Sequence, residues 1–163
     1  MGILGDNNVG RSSLIEKHLH KASWDIILKT AVKSIVLDEL RIKLQIWIIP
    51  SHKEYGKKFI LMYLRGTLGA ILMYDITDAK SLNKISEWSQ LIREQCGDIP
   101  ILLVGNKIDL EEKRVVSKEQ GMALREKYNL SSFMEISVET GENVDDMFNE
   151  ITAHMMNSRK ELY

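Results

Sequence analysis

Cysteine is almost missing from this 163-residue sequence. The one that occurs, Cys96, excludes an intramolecular disulfide framework and a cysteine-based zinc cluster, and a reducing, cytoplasmic setting is expected. Charge of one sign is also missing. Twenty-two Lys and Arg against 23 Asp and Glu leave a net charge of −1, so bulk electrostatics offers nothing to a nucleic acid and no such partner is expected. The longest apolar run, FILMYL, falls far short of the ~18 residues that a membrane span needs. The opening MGILGD leads to the expectation of no secretory leader, and the closing SRKELY to that of no prenyl anchor. The histidines, at 18, 20, 52 and 154, form no clustered ligand pattern, and His18 and His20, placed on one helix, do not share a face. Only Pro50 and Pro100 punctuate the chain, without repeats or low-complexity tracts, so one continuous domain over 1–163 is expected.

What the sequence does have is a succession of buried strands and amphipathic helices. GAILMYDIT at 69–77, PILLVGNKID at 100–109 and the stub GIL at 2–4 are continuously apolar, the mark of strands covered on both faces in a parallel sheet. In SLNKISEWSQLIREQ, Leu82, Ile85, Trp88, Leu91 and Ile92 recur at helical spacing, with Ser81 as the N-cap. Ser117 and Gln120 form a capping-box pattern. A last helix follows Asn143, with Val144, Met147, Phe148, Ile151 and Met155 on one stripe. SIVLDELRIKLQIW, at 34–47, alternates with period two around Asp38-Glu39 and reads as a hairpin. The result is an open, mostly parallel α/β sheet with one antiparallel edge, whose ligands would sit at the carboxyl ends of the strands.

Three polar segments fall at those ends. GDNNVGRSS, residues 5–13, lies between a strand and a helix and nearly spells G-x-x-x-x-G-K-[ST]. Gly5 and Gly10 allow successive amides to point inward towards a phosphate, the helix start adds its positive end, and Ser12 offers a hydroxyl to a magnesium ion. The alternative is an ordinary glycine-containing turn. Asn106-Lys107-Ile108-Asp109 follows the PILLV strand, and a carboxylate at Asp109 can accept from guanine N1 and N2, a donor pair that adenine lacks. Its alternative is a polar turn with an aspartate cap. EISVETGENV at 135–144 supplies the third loop.

LQIW, YDITDAKSLNKISEW, ILLVGNKIDL and EISVETGENV, at this spacing, resemble the Ras-like small GTPases, closest to the Rab branch, over nearly the whole chain. The resemblance implies a P-loop G-domain: a six-stranded, mostly parallel sheet with one antiparallel edge strand and helices on both faces. It implies phosphate binding by Gly5, Asp6, Asn7, Asn8, Val9, Gly10, Arg11, Ser12 and Ser13. Base binding falls to Asn106, Lys107, Asp109, Ser137, Val138 and Glu139, the cofactors are GDP or GTP with Mg2+ on Ser12, and effector or regulator proteins are the partners of a monomer.

The departures from that family cluster at one end. Where its members read W-D-x-A-G-Q-E, this chain has WIIPSHKEYG at 47–56. Ile48 stands for the aspartate that orders the magnesium shell, and Pro50 and Ser51 for a flexible Ala-Gly pair. The water-orienting glutamine falls near His52 or Lys53, which makes His52 the one catalytic candidate, although a surface-loop role is expected for it. Asp25 falls near the metal-binding threonine. Arg11 replaces a compact ammonium by a planar fork. Glu139 stands where the family has lysine, and Val138 adds bulk but keeps the amide expected to face the guanine oxygen. With four residues before Gly5, the first strand is expected to be truncated. The reading is a guanine-nucleotide-binding domain with slow or lost hydrolysis. Its alternative is a pseudo-GTPase interaction module with WIIPSH as an exposed docking patch, while Asp109 disfavours an adenine-nucleotide enzyme.

Overall fold

A computed structural model describes residues 1–24, 29–50 and 52–160. One sheet organises them. Five strands run parallel: β1 (Gly2–Gly5), β4 (Leu40–Ile48), β5 (Ala70–Asp75), β6 (Ile101–Asn106) and β7 (Ser132–Ile136). Strand β3 (Lys29–Leu37) pairs antiparallel with β4. These six are the set expected from the sequence. A short seventh, β2 (His20–Trp24), pairs antiparallel outside β3, giving the order β2-β3-β4-β1-β5-β6-β7. Its HKASW sequence carries no apolar alternation, so nothing in the pattern announces it.

The hairpin turns where expected. Asp38 and Glu39 have φ of 48° and 66°, the left-handed pair of a two-residue turn whose twist matches the flanking strands. Its first strand reaches back beyond residue 34 to Lys29, which pairs with Ile48.

Alternation within the central strands divides the core in two. Ile3, Ile71, Met73, Leu102 and Val104 pack with helices α1 (Arg11–His18) and α6 (Val144–Lys160) on one face. Leu4, Leu72, Tyr74, Ile101 and Leu103 pack on the other with α2 (His52–Leu64), α4 (Ile85–Cys96) and α5 (Lys118–Lys127). The expected stripe of α6 is confirmed, with Val144, Met147, Phe148 and Ile151 buried. Ser117 and Gln120 close the expected capping box of α5.

Four local expectations are corrected. Asp78, not Ser81, caps α3 (Ala79–Asn83), accepting from the Lys80 amide at 2.9 Å. Ser81 lies inside that helix, where its hydroxyl accepts from the Asp75 amide at 2.9 Å. His20 is in β2 and not on a helix with His18, because α1 ends at His18. His52 opens α2 instead of sitting in a surface loop; the placement of its side chain and of Lys53, like all of Ser51 and Asp25, lies outside the described residues. Trp47 to Pro50 do not form an exposed patch: Ile48 enters one core, Ile49 the other, and Pro50 is buried.

β1 has four residues and occupies the centre of the sheet. The Met1 amine donates to the Gln45 carbonyl at 2.8 Å, and burial lowers its pKa to about 6. Beyond Met1, a groove of about 580 Å³ opens between β4 and the segment that precedes β5, lined by Ile42, Leu44, Trp47, Met62, Leu68 and Met155.

Candidate functional site

The loops after β1, β6 and β7 meet at one edge of the sheet, and Asn106 at the end of β6 joins them. Only 2% exposed, it donates from Nδ2 to the Val9 carbonyl at 2.9 Å and accepts at Oδ1 from the Val138 amide at 3.0 Å. One side chain thus fixes the phosphate-loop candidate against the third loop. Gly10 has φ of 103°, and a Cβ there would overlap the Asn106 amide nitrogen; only glycine lets the two loops close together. Gly5, at φ 149°, is held by the same logic against the Met73 carbonyl.

The rest of the N-K-x-D segment is positioned by polar contacts. Lys107, at φ 76°, puts Nζ 2.5 Å from Oδ2 of the buried Asp75. The other Asp75 oxygen accepts from the Thr77 amide and hydroxyl at 2.8 and 2.7 Å, so the buried carboxylate is fully engaged. Asp109 is exposed, and its Oδ1 accepts from the Ser137 hydroxyl at 2.6 Å. A carboxylate offers about four lone-pair sites, so Asp109 keeps capacity for two further donors. The Val138 amide, expected to face a guanine oxygen, is instead donated to Asn106. His18 Nε2 lies 2.6 Å from the Val138 carbonyl, and Lys17 pairs at 2.5 Å with the exposed Glu139.

At the other end, the loop 6–10 turns into α1, with Asn8 left-handed at φ 65° and the Asp6 carboxylate accepting from the Asn7 amide at 3.0 Å. α1 begins at Arg11 with Gly10 as its N-cap and no side-chain cap bond, and the first turn of any α-helix points amides outward, the arrangement that suits an anion. Arg11 is buried, and its Nη1 donates to the Ile49 carbonyl beyond β4. The Ser12 hydroxyl accepts from Lys29 Nζ at 3.0 Å.

The sequence model of the Ras family matches residues 1–157. The Ras-related protein SEC4 of Candida albicans is 34% identical over 157 residues, covering 93% of this chain and 74% of its own. Ras-related protein Rab-3C of Bos taurus is 35% identical over 155 residues, with 91% and 67% covered, and Rab-3A of Homo sapiens is 36% identical, with 91% and 70%. The chain belongs to the Ras family, on its Rab branch.

As a Ras-family chain it brings together the residues that the sequence nominated: 5–13 from the end of β1 through the loop into the first turn of α1, Asn106, Lys107 and Asp109 at and after the end of β6, and Ser137 to Glu139 after β7. Four participants were missed. Asp75 carried a signal in its YDIT context, but its partnership with Lys107 crosses two strands. Lys17 and His18 look like solvent-facing residues of an amphipathic helix. Lys29 lies opposite Ile48, beyond the point at which the hairpin was expected to begin.

Ras-family proteins generally hold GDP or GTP with magnesium, so the fit of the ion can be tested on these side chains. It is poor. Magnesium requires octahedral oxygen ligands at about 2.0 to 2.1 Å. Here the nominated hydroxyl already faces an ammonium, and the residue across the hairpin is Ile48. Among the described residues, no group of three or more His, Cys, Asp or Glu could hold a metal ion.

Proposed function

We propose that this chain binds guanine nucleotide, GDP or GTP, as a single Rab-like domain over 1–163, with hydrolysis slow or lost. The Asn106 junction carries the reading, because it holds the phosphate loop and the base loops in one closed arrangement with Asp109 at its rim. Asp109 accepts guanine N1 and N2, Lys107 and the Ser137-Val138-Glu139 loop border the base, and residues 5–13 cradle the phosphates. Charge-assisted bonds to Asp109 contribute roughly 1.5 to 3 kcal/mol each, enough to select guanine over adenine.

The end of β4 and the residues after it support slow hydrolysis. Ile48 is a buried apolar residue where the family places its magnesium-ordering aspartate, and the buried Pro50 stands in place of its flexible Ala-Gly pair. A non-switching interaction module keeps one support. Without contacts that differ between GDP and GTP, no conformational equilibrium can shift. Ile48, Ile49 and Pro50 of its proposed docking patch are, however, buried. Effector or regulator proteins are the partners in either reading, for a monomer in the cytoplasm; among the described residues no helix is long and apolar enough to cross a membrane.

Calorimetric titration of nucleotide-stripped protein with GDP, GTP and ADP tests this. Binding of the two guanine nucleotides alone, with turnover far below that of intact relatives, is the expected result. No binding at millimolar GDP would overturn it.

A further inference from the structure

Strand β4 is paired along both edges for only part of its length. On the β3 side the ladder runs from Leu40 to Ile48. On the β1 side, among the described residues, it begins only at Trp47, opposite Gly2. The N–H and C=O of one residue point to the same edge of a strand, and successive residues alternate edges. The Gln45 carbonyl accepts from the Met1 amine and the Trp47 amide donates to the Met1 carbonyl, so the odd-numbered residues of β4 face β1. The same alternation aims the Lys43 N–H and C=O and the Gln45 N–H into the groove beyond Met1, where both residues are exposed. An unpaired strand edge is a template for one more strand. A helix, ~10 to 12 Å across and with its own backbone bonds made, would leave these groups unpaired.

The two walls of the groove differ in character. Ile42, Leu44 and Met155 line it on the α6 face of the sheet. Lys43 and Gln45 share the opposite face with Trp47, and Arg65 follows α2 on that side. Among the described lining residues the charged side chains are Lys43 and Arg65, both exposed cations and neither in an ion pair. We propose that this groove is a docking slot for an extended segment of a partner protein, which adds a strand beside β4 with apolar side chains towards α6 and carboxylates, at the alternate positions, towards Lys43 and Arg65. Main-chain bonds to Lys43 and Gln45 give such a strand its affinity, and its alternate side chains give its specificity. The slot lies beyond the amino end of β1, whereas the candidate nucleotide loops follow the carboxyl ends of β1, β6 and β7, so this inference does not rest on the nucleotide reading.

The test is amide exchange, followed residue by residue by nuclear magnetic resonance on the full chain, alone and with a capped six-residue probe peptide that alternates valine and glutamate. In the chain alone the amides of Lys43 and Gln45 should exchange about tenfold or more faster than those of Leu44 and Ile46, which face β3. Saturating peptide should slow Lys43 and Gln45 by about tenfold or more. Replacing the peptide's glutamates by lysine should weaken binding about tenfold or more, and the double variant Lys43→Glu, Arg65→Glu should reverse that preference. Both substituted side chains are exposed, and slow exchange at Leu44 and Ile46 in the variant verifies that the hairpin is intact. Slow exchange at Lys43 and Gln45 in the chain alone would overturn the proposal, because a second copy or another segment would already fill the slot. So would a peptide that binds without protecting these two amides, that binds equally well with either charge, or that fails to bind at millimolar concentration.

Discussion

The two ends of the candidate nucleotide cleft are built on different plans. At the base end, polar side chains bond to one another and to the backbone: Asn106 to Val9 and Val138, Ser137 to Asp109, Lys107 to Asp75. At the phosphate-loop end the backbone turns into α1, and two cations lie against protein oxygens. Arg11 is bonded to the Ile49 carbonyl, and Lys29 stands on Ser12. A closed hydrogen-bond network tolerates little change, because each lost partner leaves a buried polar group unsatisfied. A cradle of main-chain amides owes its shape to glycine conformations and helix geometry, so the charged side chains around it are freer to change.

The variant Asn106→Ala should show the largest effect of this contrast. It strands the Val9 carbonyl and the Val138 amide, and urea denaturation should record a loss of about 3 kcal/mol. A loss under ~1 kcal/mol would mean that the base end is no more rigid than the other. Asp109→Ala comes next: it takes the acceptor from the buried Ser137 hydroxyl, so about 1 kcal/mol of stability should be lost, and on the proposed reading GDP affinity should fall roughly 10- to 100-fold. Unchanged GDP affinity in this variant would remove Asp109 from the proposed base site.

Arg11→Ala sharpens the comparison from the phosphate side. Removing the charged donor from the Ile49 carbonyl should cost about 2 kcal/mol of unliganded stability, the range for a bond to a charged group. An arginine acting on phosphates alone would leave the unliganded protein unchanged. The smallest effect is expected for Glu139→Lys, which breaks the pair with Lys17. Glu139 is 68% exposed in its side chain, and such pairs contribute at most ~1 kcal/mol, so thermal unfolding should barely move.

Much of the sheet could be read in advance because buried parallel strands leave continuous apolar runs, as in ILLVG and AILMY, and the hairpin leaves alternation. β2 left neither. The N-K-x-D segment was legible as a motif, and so was the glycine spacing of the phosphate loop. What escaped were contacts made across the fold: Lys29 with Ser12, Asp75 with Lys107, His18 with the Val138 carbonyl. Each joins residues whose meeting depends on strand order and register, and no local pattern encodes either. The supposed patch at Trp47 to Pro50 failed for the same reason. Ile48 and Ile49 are buried because the alternation that sends them into opposite cores continues past the end of β4.

β1 is four residues long, yet β4 bonds to one side of it and β5 to the other. It therefore stitches a three-stranded half-sheet, β2-β3-β4, to another, β5-β6-β7. The amides of Trp47 and Ile49, donated to the Met1 and Ile3 carbonyls at 3.0 Å each, form part of that seam. In hydrogen-exchange terms, the seam cannot open as a local fluctuation without parting both layers of the core, so its protons trade with solvent only when the whole molecule unfolds. The shortest segment of the sheet is thus its cooperative hinge-pin, and the two halves stand or melt as one.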